Sequence, residues 1–139
     1  MNKLYDILSK VRSQAENELG YLVDPESSSP IDWPKYPVMF IDSVGEAGDD
    51  TKIVDTLEHT LAMSVAILVK DNSRNERIKK VTQVVSDFKQ FIYRNEQWGC
   101  LAVDSSYDSS ETVWTTDTDN LGAAIVKFFV TYRERIVNL

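Results

Sequence analysis

From Thr56 to Val69 the chain alternates in a strict period of two. Leu57, His59, Leu61, Met63, Val65, Ile67 and Val69 fall on one side, and Thr56, Glu58, Thr60, Ala62, Ser64, Ala66 and Leu68 on the other. Successive side chains of a strand point to opposite faces, so this pattern commits the segment to a sheet with at least one buried face. The second face is polar early and apolar late. Strands commonly run about five or six residues, so a run of about thirteen implies that one end projects beyond the body of the fold.

The rest of the chain supplies what such a sheet needs. Residues 2–19 carry Leu4, Ile7, Leu8, Val11, Ala15 and Leu19 at helical spacing, with Asn2 to cap the start and Gly20 the end. A second helix is predicted over 73–97. Ser73-Arg74-Asn75-Glu76 fits a capping box, Ile78, Val81, Val85, Phe88 and Ile92 form its apolar stripe, and Gly99 follows its end. Shorter β runs are predicted at Val38–Ile41, Cys100–Ser106 and Thr112–Thr116, with a long last strand over Leu121–Arg133. The resulting order is α-β-β-α-β-β-β. An apolar sheet face must be covered, so the expected class is α+β, one mixed and mostly antiparallel sheet against two helices.

At 139 residues one domain over 1–139 is the expectation, and a chain of this length buries roughly 68–70% of its unfolded surface. Its main irregularity is 21–37, which holds all four prolines and the run Ser27-Ser28-Ser29. Proline fixes φ and removes a donor, so this reads as a long loop. Trp33 and Tyr36 within it are positioned to dock on their own domain or on a neighbour. The first residues lack the apolar block of a signal peptide, and no stretch approaches the roughly 18 apolar residues of a membrane span. The expectation is a soluble protein made inside the cell, with no membrane partner.

The search for chemistry returns few residues. Cys100 is the only cysteine, which excludes an intramolecular disulfide and a CxxC motif, and its apolar neighbours read as a small buried thiol. His59, the only histidine, lies on the apolar-alternating face and reads as a core or edge residue rather than a catalytic base. No GxSxG elbow, Walker loop or dinucleotide fingerprint is present. Asp117-Thr-Asp119-Asn-Leu-Gly122 starts like a calcium loop. Leu121 and Phe128 stand where that loop needs oxygen ligands, so a turn is the better reading. Gly45-Glu-Ala-Gly48 has the outline of a KH-type GxxG loop in an acidic setting, and reads as a hairpin tip. No catalytic residue, metal ligand or cofactor is expected, and no enzymatic activity.

Charge is more informative than residue chemistry. The formal net charge is −7, with a pI near 4.7, which argues against a surface that grips nucleic acid through its phosphates. Residues 42–58 hold six acids and one base, and residues 100–119 hold five acids and no base. Residues 70–94 hold seven bases against three acids. Separate acidic and basic faces suit a head-to-tail contact between copies, which can close into a ring. Solvated loops and a solvated helix face would give the same counts.

The arrangement resembles the tail terminator, or tail-completion, proteins of long-tailed bacteriophages over roughly residues 2–135. The resemblance rests on the N-terminal helix, the Tyr36-Pro37-Val38 approach to the first strand, and the long strand ending Ala66-Ile-Leu-Val-Lys-Asp71. It continues through the single central helix, the Asp117-Thr-Asp119 approach, and a final strand closing in Val130-Thr-Tyr-Arg-Glu134. The family has no catalytic signature, so no functional residue is carried over one by one.

The resemblance implies a structural virion protein that forms a ring, commonly a hexamer, capping the tail tube. Such a ring ends tube polymerisation and joins the tail to the head-side connector. Its partners would be further copies of itself, the major tail-tube protein and the connector, with DNA passing through unbound. In that setting Asp49 and Asp50 are candidates for a channel lining that repels phosphate. Arg74, Arg77, Lys79 and Lys80, with Trp33 and Tyr36, are candidates for an intersubunit or tube contact. The alternatives are another neck or head–tail joining protein or, in a different class, a cytosolic ligand-binding domain or enzyme using the sheet face near His59.

Overall fold

The computed structural model describes residues 2–26, 33–46, 51–114 and 120–136. Two helices and six strands follow one another along them: α1 (Lys3–Gln14), β1 (Leu22–Val23), β2 (Val38–Glu46), β3 (Thr51–Ile53), β4 (Thr56–Lys70), α2 (Arg74–Arg94), β5 (Asp104–Trp114) and β6 (Leu121–Arg135). The strands form one mixed sheet in the order β1-β2-β4-β6-β5, with β3 pairing β4 beside that path. Among the described residues only the β1–β2 pair is parallel. The fold is α+β, as the alternation and the two amphipathic segments predict.

The long alternating run forms the centre of the sheet. β4 pairs β6 without a slip from Thr56↔Arg135 to Lys70↔Leu121. His59, Leu61, Met63, Val65, Ile67 and Val69 are buried on the helix side, opposite Ala124, Val126, Phe128, Val130 and Tyr132 of β6. α2 lies across them through Val81, Val84, Phe88, Phe91 and Ile92. Ser73 caps this helix as its sequence suggests, its Oγ accepting from Glu76 N–H at 3.4 Å. Gly122 lets helix and strand meet closely, since a Cβ there would stand 2.6 Å from Val81 Cγ2.

Four sequence expectations change. The first helix extends over the predicted residues, but its last turn, Ala15–Leu19, is π-helical and closes on Gly20 at φ 70°. β2 continues five residues past Ile41 to Glu46 and contains Gly45, which is therefore a strand residue and not a hairpin tip. The two runs expected around 100–116 are one strand, β5, bulged between Tyr107 and Ser109. The stretch left between the two predicted runs, Tyr107 to Glu111, is rich in acids and Ser and reads as loop by propensity. Pairing to β6 overrides that preference, and acids on an edge strand deter pairing with foreign strands.

Cys100 is the fourth change: it is exposed. In the turn after α2, Trp98, Gly99 and Cys100 all take positive φ, at 47°, 68° and 71°. That path turns Trp98 inward instead, where it is fully buried and donates its indole N–H to Ser105 Oγ at 2.8 Å.

Candidate functional site

The two ends of β4 carry different chemistry. At its N-terminal end β3 and β4 form a hairpin whose loop is Val54-Asp55, closed by the Ile53↔Thr56 pair. Thr51 to Val54 are exposed, Ile53 by 44% and Val54 by 83%. Val54 has φ 56°, a region where a β-branched residue is rare. Beside the hairpin, Asp55 faces Arg135 at 3.4 Å and Glu58 accepts from Arg133 Nε at 2.8 Å.

His59 sits at this same end. It is buried and stacks on Tyr132 with ring centroids 4.8 Å apart. Its Nε2 lies 2.6 Å from Glu134 Oε1, and its Nδ1 lies 3.7 Å from Glu46 Oε1. The imidazole thus bridges β2, β4 and β6, a structural clasp at the sheet end. No group of three His, Cys, Asp or Glu residues among the described ones could hold a metal ion.

At the C-terminal end of β4 the turn into α2 is held by Arg77. This residue, expected on an outward basic face, is 3% exposed and donates to Asp71 O at 2.8 Å and to Asn72 O and Asn120 Oδ1 at 3.3 Å. The correction has a simple cause: helical position 77 faces the sheet together with Val81 and Val84, and its guanidinium reaches back to unpaired turn carbonyls. Arg74, Lys79 and Lys80 do lie outward. Lys79 pairs with Glu76 and Lys80 with Asp71, so the outward cations are partly neutralised by their own segment. The Ser73 N–H, then Lys80, hold the Asp71 carboxyl below its ordinary pKa.

Lys80 also borders a pocket of about 250 Å3, floored by Pro37, Val69 and Val84 and rimmed by Tyr36, Lys70, Gln83 and Asp87. The Lys70 ammonium stands 5.8 Å from the centre of the Tyr36 ring, and burial raises the Tyr36 phenol pKa. Trp33 packs on its own chain, 8% exposed, against Tyr36 and Phe40 at ring distances of 5.8 and 5.5 Å. Of the six residues expected at an interface, Tyr36 and Lys80 line this pocket, Trp33 packs behind Tyr36, and Arg74, Arg77 and Lys79 lie outside the lining. Asp49 and Asp50 lie outside the described residues, as does the segment with Asp117 and Asp119. The pocket was not legible in the sequence, because Pro37, Val69 and Val84 come from three separate parts of the chain.

Two buried hydroxyls, those of Tyr21 and Ser64, have no hydrogen-bond partner among the described residues. For Tyr21, burial, reinforced by the Asp87 charge, raises the phenol pKa strongly.

No family model matches the chain, and no curated protein matches it. Among solved structures, a chain from the virion of a native gene transfer agent particle shares the fold. It aligns over 92% of this chain and 92% of its own length, with a TM-score of 0.53 at 8% sequence identity. No helix among the described residues is long and apolar enough to cross a membrane.

Proposed function

We propose that this chain is a structural protein of a phage-like virion. Within that class we assign it to the tail terminators, whose ring caps the tail tube, ends its polymerisation and meets the head-side connector. The observation that carries the reading is the end-to-end fold likeness to a virion chain, which spans nearly all of both chains. The charge pattern supports it: acidic 42–58 and 100–119 against basic 70–94 suits a heterologous contact between copies. The central β4–β6 ladder gives each subunit a stiff slab with different chemistry at its two ends.

In this reading the protein works by shape and charge and catalyses nothing. Asp49 and Asp50 face a channel and repel DNA phosphates, so DNA passes without adhering. Arg74, Lys79 and Lys80 face an acidic neighbour, either a second copy or the tube, while Arg77 holds the turn that presents them.

The test is deletion of the gene in a producing host, followed by electron microscopy of the particles. A terminator predicts tails of abnormal length that fail to join heads, with antibody against the chain marking the head-proximal tail end in wild-type particles. Normal tails that merely lack heads would instead place the chain in the joining neck. Particles indistinguishable from wild type would overturn the virion reading.

A further inference from the structure

An exposed valine in the left-handed region at the tip of a hairpin breaks two local rules together. A β-branched side chain at φ 56° is strained, and an apolar side chain 83% exposed gains nothing from its own chain. Glycine or asparagine is the usual occupant of such a turn. Strain kept without an internal compensation points to a role outside the monomer. The neighbouring Ile53, 44% exposed, extends the same apolar tip.

The pocket beside Lys70 and Lys80 has the complementary character. Its floor is Pro37, Val69 and Val84, and its volume of about 250 Å3 falls below that of drug-sized ligand sites, roughly 300–1,000 Å3. It suits one or two aliphatic side chains. Lys80 leaves 49% of its side chain exposed despite its pair with Asp71. The charge balance runs the same way: the segment bearing the hairpin, 42–58, is acidic, and the segment bearing the pocket rim, 70–94, is basic. Arg133 and Arg135 pair with Glu58 and Asp55 on the hairpin side, as Asp71 pairs with Lys80 on the pocket side, so the imbalance is that of the two segments as wholes.

Hairpin and pocket lie at opposite ends of β4. At about 3.3 Å per residue, its 15 residues separate them by roughly 46 Å, so a chain cannot fill its own pocket. We propose that the Ile53-Val54 tip of one copy seats in the Lys70–Lys80 pocket of the next, a head-to-tail contact between identical chains. The inference rests on the ring reading for its biological setting and names the surface through which that ring closes.

The experiment uses the full chain with Cys100→Ser as background. Val54→Cys is made in one sample and Gln83→Cys, on the pocket rim, in another. The two are mixed and mildly oxidised. The expected product is a disulfide-linked dimer containing one chain of each kind, well above the yield with Glu16→Cys, an exposed control on the π-helical turn after α1. In parallel, solution mass is measured against concentration for wild type and Val54→Gly. Glycine relieves the strained φ and removes the tip, so the fold should hold while the dissociation constant rises roughly ten- to a hundredfold, as for loss of one buried valine side chain.

Cross-linking no better than the control overturns the proposal, whether or not the wild type self-associates. If the wild type forms rings in that case, the ring reading stands and another surface builds it. A Val54→Cys/Gln83→Cys double variant separates the converse outcome. Linkage into one closed species supports contact and ring alike, whereas an open-ended ladder supports the contact and overturns the ring.

Discussion

Replacing Gly122 with alanine probes the closest approach of helix to sheet. The new Cβ would lie 2.6 Å from Val81 Cγ2 and 3.3 Å from Val69 Cγ2. Neither neighbour can move cheaply. Both are buried, Val81 completely, and valine is stiff at χ1. Overpacking of this kind costs about 1–3 kcal/mol, against roughly 0.5–1 kcal/mol regained because alanine suits a strand better than glycine. The net expectation is a loss of about 1–2 kcal/mol, near 3–8 °C in Tm for a domain of this size.

The decisive measurement is a double-mutant cycle by urea unfolding at fixed protein concentration. Val81→Ala alone removes two buried methyl-sized groups and leaves a cavity, at about 2–3 kcal/mol. With Gly122→Ala added, the new methyl enters the space that Val81 Cγ2 vacated. The double variant should then be no less stable than Val81→Ala alone, a coupling of at least about 1 kcal/mol. Single effects that add to within about 0.5 kcal/mol, with unchanged m-values, would refute the packing argument.

Two further expectations concern the turn between β4 and α2. Arg77→Met should destabilise by about 1.5–3 kcal/mol, because the turn carbonyls and Asn120 lose a charged donor; Arg77→Lys, a point charge without the fork, should recover less than half in the same unfolding assay. Asp71 contributes stability that is fully present above its unfolded pKa, near 3.8, and is lost as pH falls through its lower folded value. Asp71→Asn should therefore flatten the stability–pH curve below about pH 4, and an unchanged acid limb would contradict the assignment.

The sequence alone determined the layer arrangement, because period-two and period-3.6 patterns are local and long here. The run from Thr56 to Val69, the stripe from Val81 to Ile92 and the Ser73 cap each register in a short window, and a face that must be buried defines the partner layer. Local pattern failed where tertiary pairing outweighed propensity. Tyr107 to Glu111 has the composition of a loop and joins an edge strand only because β6 offers it a ladder. It failed again where rotation about a helix decided exposure. Arg77 counts as one more base in a basic segment until the turn carbonyls behind it are placed.

The candidate contact divides the same way. Charge segregation between 42–58 and 70–94 is a property of the sequence, and so is the chance that copies meet head to tail. That Val54 sits strained and exposed at one end of β4, with an apolar pocket at the other, is a property of the fold. Positive φ is imposed by the register of the hairpin, and the pocket exists only where Pro37, Val69 and Val84 converge from distant parts of the chain.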